Sequence, residues 1–150
     1  MSNPLRALAW KFVKALVHRH FPDVPSIPID KLAAWLMGDM SPPILIDVRQ
    51  REEYEVSHLP NALHLPASEA IQKADIPANA MLVLYCSVGY RSALVAHQLQ
   101  ANGYKNVMNL EGSIFEWYNR GHPVVVDGRA VKQVHPYSRI WGMLLEGCTG

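Results

Sequence analysis

A chain of 150 residues, 49% apolar and 18% charged, has the length of one compact domain and the composition of an ordinary globular protein. Its net charge of +1 gives no general attraction to nucleic acid, and no apolar run approaches the roughly 18 residues that a membrane-spanning helix needs. Two cysteines, Cys86 and Cys148, are too few for a disulfide framework, and no histidines or acids recur at metal-ligand spacing, so a reducing, cytoplasmic setting without a metal is expected.

The charge is uneven. Residues 1–22 hold Arg6, Lys11, Lys14 and Arg19 and no acid, a net +4, which leaves −3 for the remainder. Leu5, Leu8, Phe12 and Leu16, with Ala9, Val13 and Val17 beside them, recur at helical spacing and predict an amphipathic basic helix. Such a helix packs on the domain, or rests on an anionic membrane surface through residues 4–20, or docks to a partner. Phe21–Pro28 contains three prolines and reads as a linker, so the chain divides into 1–24, 25–125 and 126–150.

Beyond the linker the pattern alternates. Asp30 is placed to cap a short helix through Met37. Ile44-Leu45-Ile46-Asp47-Val48 is a β-branched apolar run suited to a buried parallel strand. One or two helical turns over Glu52–Val56 follow, then a short strand over Ala62–Leu65 and a short helix over Ser68–Lys73 with Ser68 as its cap. Met81–Tyr85 predicts a second buried strand, and Ala93, Leu94, Ala96 and Leu99 a helix over 91–102, closed by Asn102-Gly103. Lys105–Asn109 predicts a strand and Ser113–Asn119 a helix, with Ser113 and Glu116 in capping-box spacing. Strands alternating with helices imply an α/β fold with a parallel sheet and helices on both faces.

Cys86 falls between the 81–85 strand and the 91–102 helix. Amide N–H groups point outward unpaired at a helix N-terminus, and the helix dipole favours negative charge there. Thiolate is the reactive form of cysteine, and such a position favours it. Gly89 lets the loop curl so that its amides converge, and Arg91 adds a fixed positive charge. Ser87, Val88, Gly89, Tyr90, Arg91 and Ser92 thus predict a cradle for an anionic group carried on the Cys86 sulfur.

Four blocks in order resemble the rhodanese-like domain of sulfurtransferases. They are Leu45-Ile46-Asp47-Val48-Arg49; Glu53-Tyr54 with Ser57-His58-Leu59-Pro60-Asn61-Ala62; Cys86-Ser87-Val88-Gly89-Tyr90-Arg91-Ser92-Ala93; and Gly103-Tyr104-Lys105-Asn106-Val107 with Asn109-Leu110-Glu111-Gly112-Ser113 and Trp117. The resemblance spans about residues 28 to 124 and leaves both ends uncovered. It implies a three-layer domain around a central, mainly parallel five-stranded sheet, with the amphipathic helix and the C-terminal extension added. It also implies ping-pong sulfur transfer. Cys86 takes the outer sulfur of a small sulfane-sulfur donor, holds it as a persulfide, and gives it to a thiophilic acceptor such as cyanide, a thiol or a sulfur-accepting protein. No cofactor is needed beyond that covalent persulfide.

Related phosphatases and arsenate reductases share this fold, but the four residues between Cys86 and Arg91 are one fewer than in those phosphatases, and Tyr85 replaces their histidine. The shorter loop suits a sulfur atom better than a phosphoryl group. A non-catalytic protein-binding module on the same fold is the other alternative, and a homodimer joined through the two ends is a further one. Asp47 and Arg49 lie where α/β sheets place ligands and read as a supporting ion pair. Glu53 stands where the two-domain thiosulfate enzymes resemble one another in having arginine. Its carboxylate is expected to repel thiosulfate, or to pair with Arg49 or Arg51, and Arg91 is left as the main cation. His58 resembles a structural motif histidine.

In the tail, Asp127-Gly128 predicts a turn and Tyr137–Leu145 a helix with Ile140, Trp141, Leu144 and Leu145 on one face. Cys148 is either an incidental thiol or a cysteine able to resolve or accept sulfur from Cys86.

Overall fold

The computed structural model of the chain describes residues 3–146. Helices and strands alternate as α1 (Pro4–His20), β1 (Ser26–Ile27), α2 (Ile29–Met37), β2 (Ile44–Asp47), α3 (Arg51–Val56), β3 (Leu63–His64), α4 (Ser68–Lys73), β4 (Leu82–Tyr85), α5 (Tyr90–Ala101), β5 (Val107–Leu110) and α6 (Ser113–Asn119). A hairpin of β6 (Val124–Val126) and β7 (Arg129–Val131) and a 3-10 turn over Trp141–Leu144 complete them. The first five strands form one parallel sheet in the order β1-β5-β4-β2-β3. This is the α/β architecture with a five-stranded central sheet that the motif blocks imply.

Strand periodicity divides the core. Leu45, Val83 and Tyr85 join α2 and α6 residues such as Leu32, Ile114 and Phe115 on one face. Ile46, Leu84 and Cys86 face the other way and pack with Val95, Ala96 and Leu99 of α5. Both faces are covered, which explains why the central strands carry near-continuous apolar runs.

Local chemistry departs from expectation in several places. The proline stretch read as a linker contains β1, an edge strand whose flank receives the Asn109 amide at Pro25 O, and it buries Val24 and Ile27. Proline tolerates such an edge because the ladder does not need its missing N–H. Asp30 is not a cap: Pro28 holds that position, and Asp30 pairs across the surface with Arg120 at 2.9 Å. Ala67, rather than Ser68, precedes α4, and Ser68 is buried. Nor does Ser113 cap α6. Gly112, at φ +79°, does so, and a Cβ there would collide with the Glu116 side chain. Glu116 instead binds Lys14 at 2.9 Å and Arg120 at 3.1 Å.

Both ends pack on the sheet domain. Helix α1 buries Val13 and Val17, whereas Leu5, Leu8 and Phe12 are 65–77% exposed, so the apolar stripe is split between core and surface. The turn at Asp127-Gly128 joins β6 to β7 as expected. Of the helix expected over Tyr137–Leu145 only a 3-10 turn over Trp141–Leu144 forms, with Ile140 exposed, and Tyr137 at φ +62° lies outside helical backbone; side chains of other elements hold the tail's end. Arg6 Nε donates to Met143 O at 3.1 Å, Asn119 Nδ2 to Leu144 O at 2.8 Å, and the Glu146 amide to Asn119 Oδ1 at 2.7 Å. No helix of the described residues is long and apolar enough to cross a membrane.

Candidate active site

The alternation of β4 continues one residue past its end, which carries Cys86 beneath α5 with its side chain 1% exposed. The chain then turns through Gly89 at φ +107°, a backbone conformation that favours glycine, and enters α5 at Tyr90. That turn brings the Gly89 N–H to 3.2 Å from Cys86 Sγ. Two peptide groups of the loop are fixed from below, because Cys86 O and Ser87 O accept the Ile114 and Phe115 amides at 3.1 Å each. Those are otherwise unpaired donors of the first turn of α6. The Cys86 amide donates to Ser113 Oγ at 3.2 Å, and the Ser113 hydroxyl donates to Leu110 O at 3.0 Å.

Ser92 Oγ lies 3.4 Å from Cys86 Sγ and 2.6 Å from Asn109 Oδ1, yet a hydroxyl has a single proton to donate. The Asn109 amide nitrogen donates to Gly89 O at 2.9 Å, which fixes Oδ1 as the atom facing Ser92. The Ser92 proton therefore goes to the shorter, stronger acceptor, and the Gly89 N–H is the unshared donor to sulfur. Asn109 ties the strand, the glycine turn and the helix into one unit.

Glu53 is buried at 2% exposure. It accepts two bonds of 2.9 Å from Arg91, one of 3.1 Å from the Ser87 hydroxyl and one of 2.9 Å from the Gln50 amide. Of the pairings expected for Glu53, neither forms a hydrogen bond: Arg51 binds Glu55, and Arg49 binds Asp47. Arg91 is thus a neutralised cation. Burial raises the Glu53 pKa, but the Arg91 hydrogen bonds and charge, the Gln50 amide and the Arg49 charge outweigh it and leave the carboxyl below its ordinary value. Burial likewise opposes the charge of Arg91, and Glu53 together with the Cys86 sulfur outweighs that and raises its pKa.

Asp47 and Arg49 form the supporting ion pair, fully buried at 2.8 Å, with Arg49 Nη2 also donating to Ser57 O at 2.6 Å. The pair fastens the segment after β2 beside the end of β4, where Asp47 lies opposite Tyr85 in the sheet. Burial, followed by the Asp47 charge, raises the Tyr85 pKa, so its phenol stays neutral and accepts the Leu59 amide at 3.0 Å. His58 stacks on Tyr54 at 3.8 Å between ring centres and bonds Tyr54 O, a structural arrangement.

A cavity of about 280 Å³ opens over Cys86 and the loop from Ser87 to Arg91. Its remaining walls come from α1 (Val13, Leu16) and the tail (Tyr137, Trp141), residues that sequence reasoning did not place at the site. Tyr137 adopts φ +62°, and its ring lies 4.3 Å from the Arg91 guanidinium. Tyr90 OH meets His20 Nδ1 at 2.8 Å, tying the end of α1 to the loop. No three His, Cys, Asp or Glu side chains cluster as metal ligands among the described residues. Cys148 lies outside the described residues.

The rhodanese-like domain family model matches residues 29–120, and the chain belongs to that family. A sulfurtransferase of Allochromatium vinosum is 34% identical over 90 residues, covering 59% of this chain and 84% of that protein. The adenylyltransferase and sulfurtransferase uba4 of Ogataea parapolymorpha is 32% identical over 83 residues, 54% of this chain but only 21% of its own length. A rhodanese-like domain protein from Staphylococcus aureus superposes with a TM-score of 0.60 at 30% identity, covering 69% of this chain and 99% of that one. At the level of the family these likenesses support sulfur transfer. Val13, Leu16, Tyr137 and Trp141 all fall outside the matched residues.

Proposed function

We propose that the protein moves sulfane sulfur through a persulfide on Cys86. The Cys86 thiolate attacks the outer sulfur of a donor R–S⁻, the R–S bond breaks, and R leaves with the bonding pair. Cys86 then carries a terminal anionic sulfur. A thiolate or cyanide attacks that sulfur, the S–S bond breaks, and the Cys86 thiolate is restored without external oxidant or reductant. Ser87, Val88, Gly89, Tyr90, Arg91 and Ser92 form the cradle, with Asp47, Arg49 and Glu53 in support. Acceptors in this scheme are small thiols, cyanide or a sulfur-accepting protein, in a reducing, cytoplasmic compartment. Residues 1–24 and 126–150 act as appendages to a 25–125 sulfur-transfer domain.

The observation that carries the reading is the position of the Cys86 sulfur, at the floor of a cavity, beneath the start of α5 and 3.2 Å from the Gly89 amide. A negative charge on sulfur is well placed beside a preorganised N–H and beneath the N-terminus of α5. Phosphoryl transfer is disfavoured by the short loop and by Arg91, whose guanidinium is engaged by Glu53 rather than open to a phosphate.

Intact-mass analysis after exposure to thiosulfate, mercaptopyruvate or a polysulfide tests it. The wild-type protein is expected to gain one sulfur atom that cyanide then removes, and Cys86→Ser to gain none. Retained transfer by the Cys86→Ser protein would overturn the assignment.

A further inference from the structure

The cavity over Cys86 has walls of two kinds. The cysteine loop forms its floor, and Arg91 is the only charged lining residue among those described. That charge is matched by Glu53 through two bonds of 2.9 Å and covered by the Tyr137 ring at 4.3 Å. The roof is apolar: Val13 and Leu16 on α1, Tyr137 and Trp141 on the tail. The roof is held deliberately in place. Tyr137 keeps a left-handed backbone that costs a bulky residue about 1–2 kcal/mol, a conformation that persists only when its surroundings enforce it. The His135 ring accepts the Tyr137 amide at 3.0 Å and Ser138 Oγ accepts the Trp141 amide at 3.1 Å, while Arg6 joins the tail to α1.

From this we infer that the α1–tail roof is a specificity element that selects sulfur compounds with an uncharged, apolar body, an aryl or branched alkyl group, over small polyanions. The inference rests on the sulfur-transfer reading and names its substrate class. A volume of about 280 Å³ lies just under the roughly 300 Å³ at which small-molecule sites begin, and such sites are mostly apolar with a few polar groups that fix orientation. It accepts a ring attached to the sulfur group. For such a donor the loop holds the sulfur and the roof takes the body. A dianion meets instead an apolar ceiling and a cation already neutralised, so its desolvation is poorly compensated.

Benzenethiosulfonate, methanethiosulfonate and thiosulfate separate body from charge. In each, Cys86 takes the outer sulfur and the sulfinate or sulfite leaves with the electron pair. Wild-type kcat/KM for persulfide formation is expected to be at least about tenfold higher for the aryl than for the methyl compound, the scale of an apolar contact in a pocket. Trp141→Ala is expected to remove most of that ratio, and taking the ratio within one protein cancels leaving-group reactivity between variants. Leu16→Lys, on the opposite wall, is expected to raise thiosulfate relative to benzenethiosulfonate and serves if the Trp141 variant folds poorly. Equal use of the aryl and methyl compounds, or an aryl-to-methyl ratio that Trp141→Ala leaves unchanged, would overturn the roof as a selector. Calorimetric titration of the Cys86→Ser protein with the same two thiosulfonates reads the roof without transfer: tighter aryl binding supports it, equal binding overturns it. Failure of every donor to load Cys86 in the mass measurement would strike the sulfur-transfer reading itself, so the two failures are told apart.

Discussion

Glu53 and Arg91 meet through two parallel hydrogen bonds of 2.9 Å, the fork-to-carboxylate geometry in which guanidinium binds most strongly. The carboxylate is buried and the guanidinium is 29% exposed at the wall of the cavity. One acid from α3 thereby neutralises the cation that lines the cavity beside Cys86. On the proposed sulfur-transfer reading Glu53 acts on a donor through Arg91, which the Glu53→Gln variant tests.

Replacing Glu53 with glutamine keeps the shape and removes the charge. Arg91 then presents a net positive charge, and kcat/KM for thiosulfate is expected to rise about fivefold, roughly 1 kcal/mol after solvent screening. The fold loses about 2–3 kcal/mol because the amide keeps a single acceptor oxygen and turns an NH2 towards donors that the second carboxylate oxygen had served, so one Arg91 bond is lost and the other becomes a charged-to-neutral one. A double-mutant cycle with Arg91→Met should report a coupling of about 1–3 kcal/mol in urea unfolding. Lower stability with no change in thiosulfate use would confine Glu53 to a structural role.

The same pair gives stability a pH dependence. The Glu53 carboxyl is held below its ordinary value of 4.5 in the folded protein, so the unfolded chain binds the proton first as pH falls. The contribution is complete above about pH 5 and is lost progressively as pH drops through the folded value. Unfolding free energy measured from pH 6 to pH 3 should fall more steeply in the wild type than in Glu53→Gln. Parallel curves for the two proteins would refute this.

Asp47→Asn is expected to cost about 3–5 kcal/mol, because Arg49 stays fully buried with its charge uncompensated. Arg49 Nη1 already has no hydrogen-bond partner, so little local compensation remains. The loss should appear in the urea midpoint at unchanged m-value, while persulfide formation on the folded fraction continues. A cost under about 1 kcal/mol would mean that water reaches Arg49.

Much of this site is legible from sequence, and for identifiable reasons. The Cys86-to-Ser92 loop, the Asp47–Arg49 pair and most strand and helix positions follow from short-range signals: an apolar run of period 2, one glycine turn, a helical repeat. Side-chain partners separated by tens of residues do not. Glu53 finds Arg91 only because the sheet sets α3 beside the cysteine loop, and Ser113 abandons a cap to receive the Cys86 amide. Asn109 stood in a motif block, but its bridge from Ser92 to Gly89 depends on β5 lying next to β4. The roof was the hardest to foresee. Val13 and Leu16 form part of an ordinary amphipathic stripe, and Trp141 belongs to an apolar repeat that reads as one face of a tail helix, so neither pattern marks a pocket wall.

The glycine turn tests how much the amide beside sulfur matters. Gly89→Ala introduces a Cβ whose nearest neighbours stand at 3.5–3.6 Å, ordinary contact distances, so no collision accompanies the change. The φ of +107° is the difficulty, and an alanine forced there costs about 1–2 kcal/mol, with part of the strain relieved by rotating the peptide. That rotation moves the one N–H that Cys86 does not share with another acceptor. A donor lost from a site of developing negative charge costs catalysis steeply, and persulfide formation should slow by about tenfold or more. The melting temperature should fall by roughly 2–8 °C for a domain of this size. Gly89→Asn, which tolerates a left-handed backbone better, should recover part of both losses. Full transfer activity in a Gly89→Ala protein of lowered melting temperature would show that the amide contributes to the fold alone.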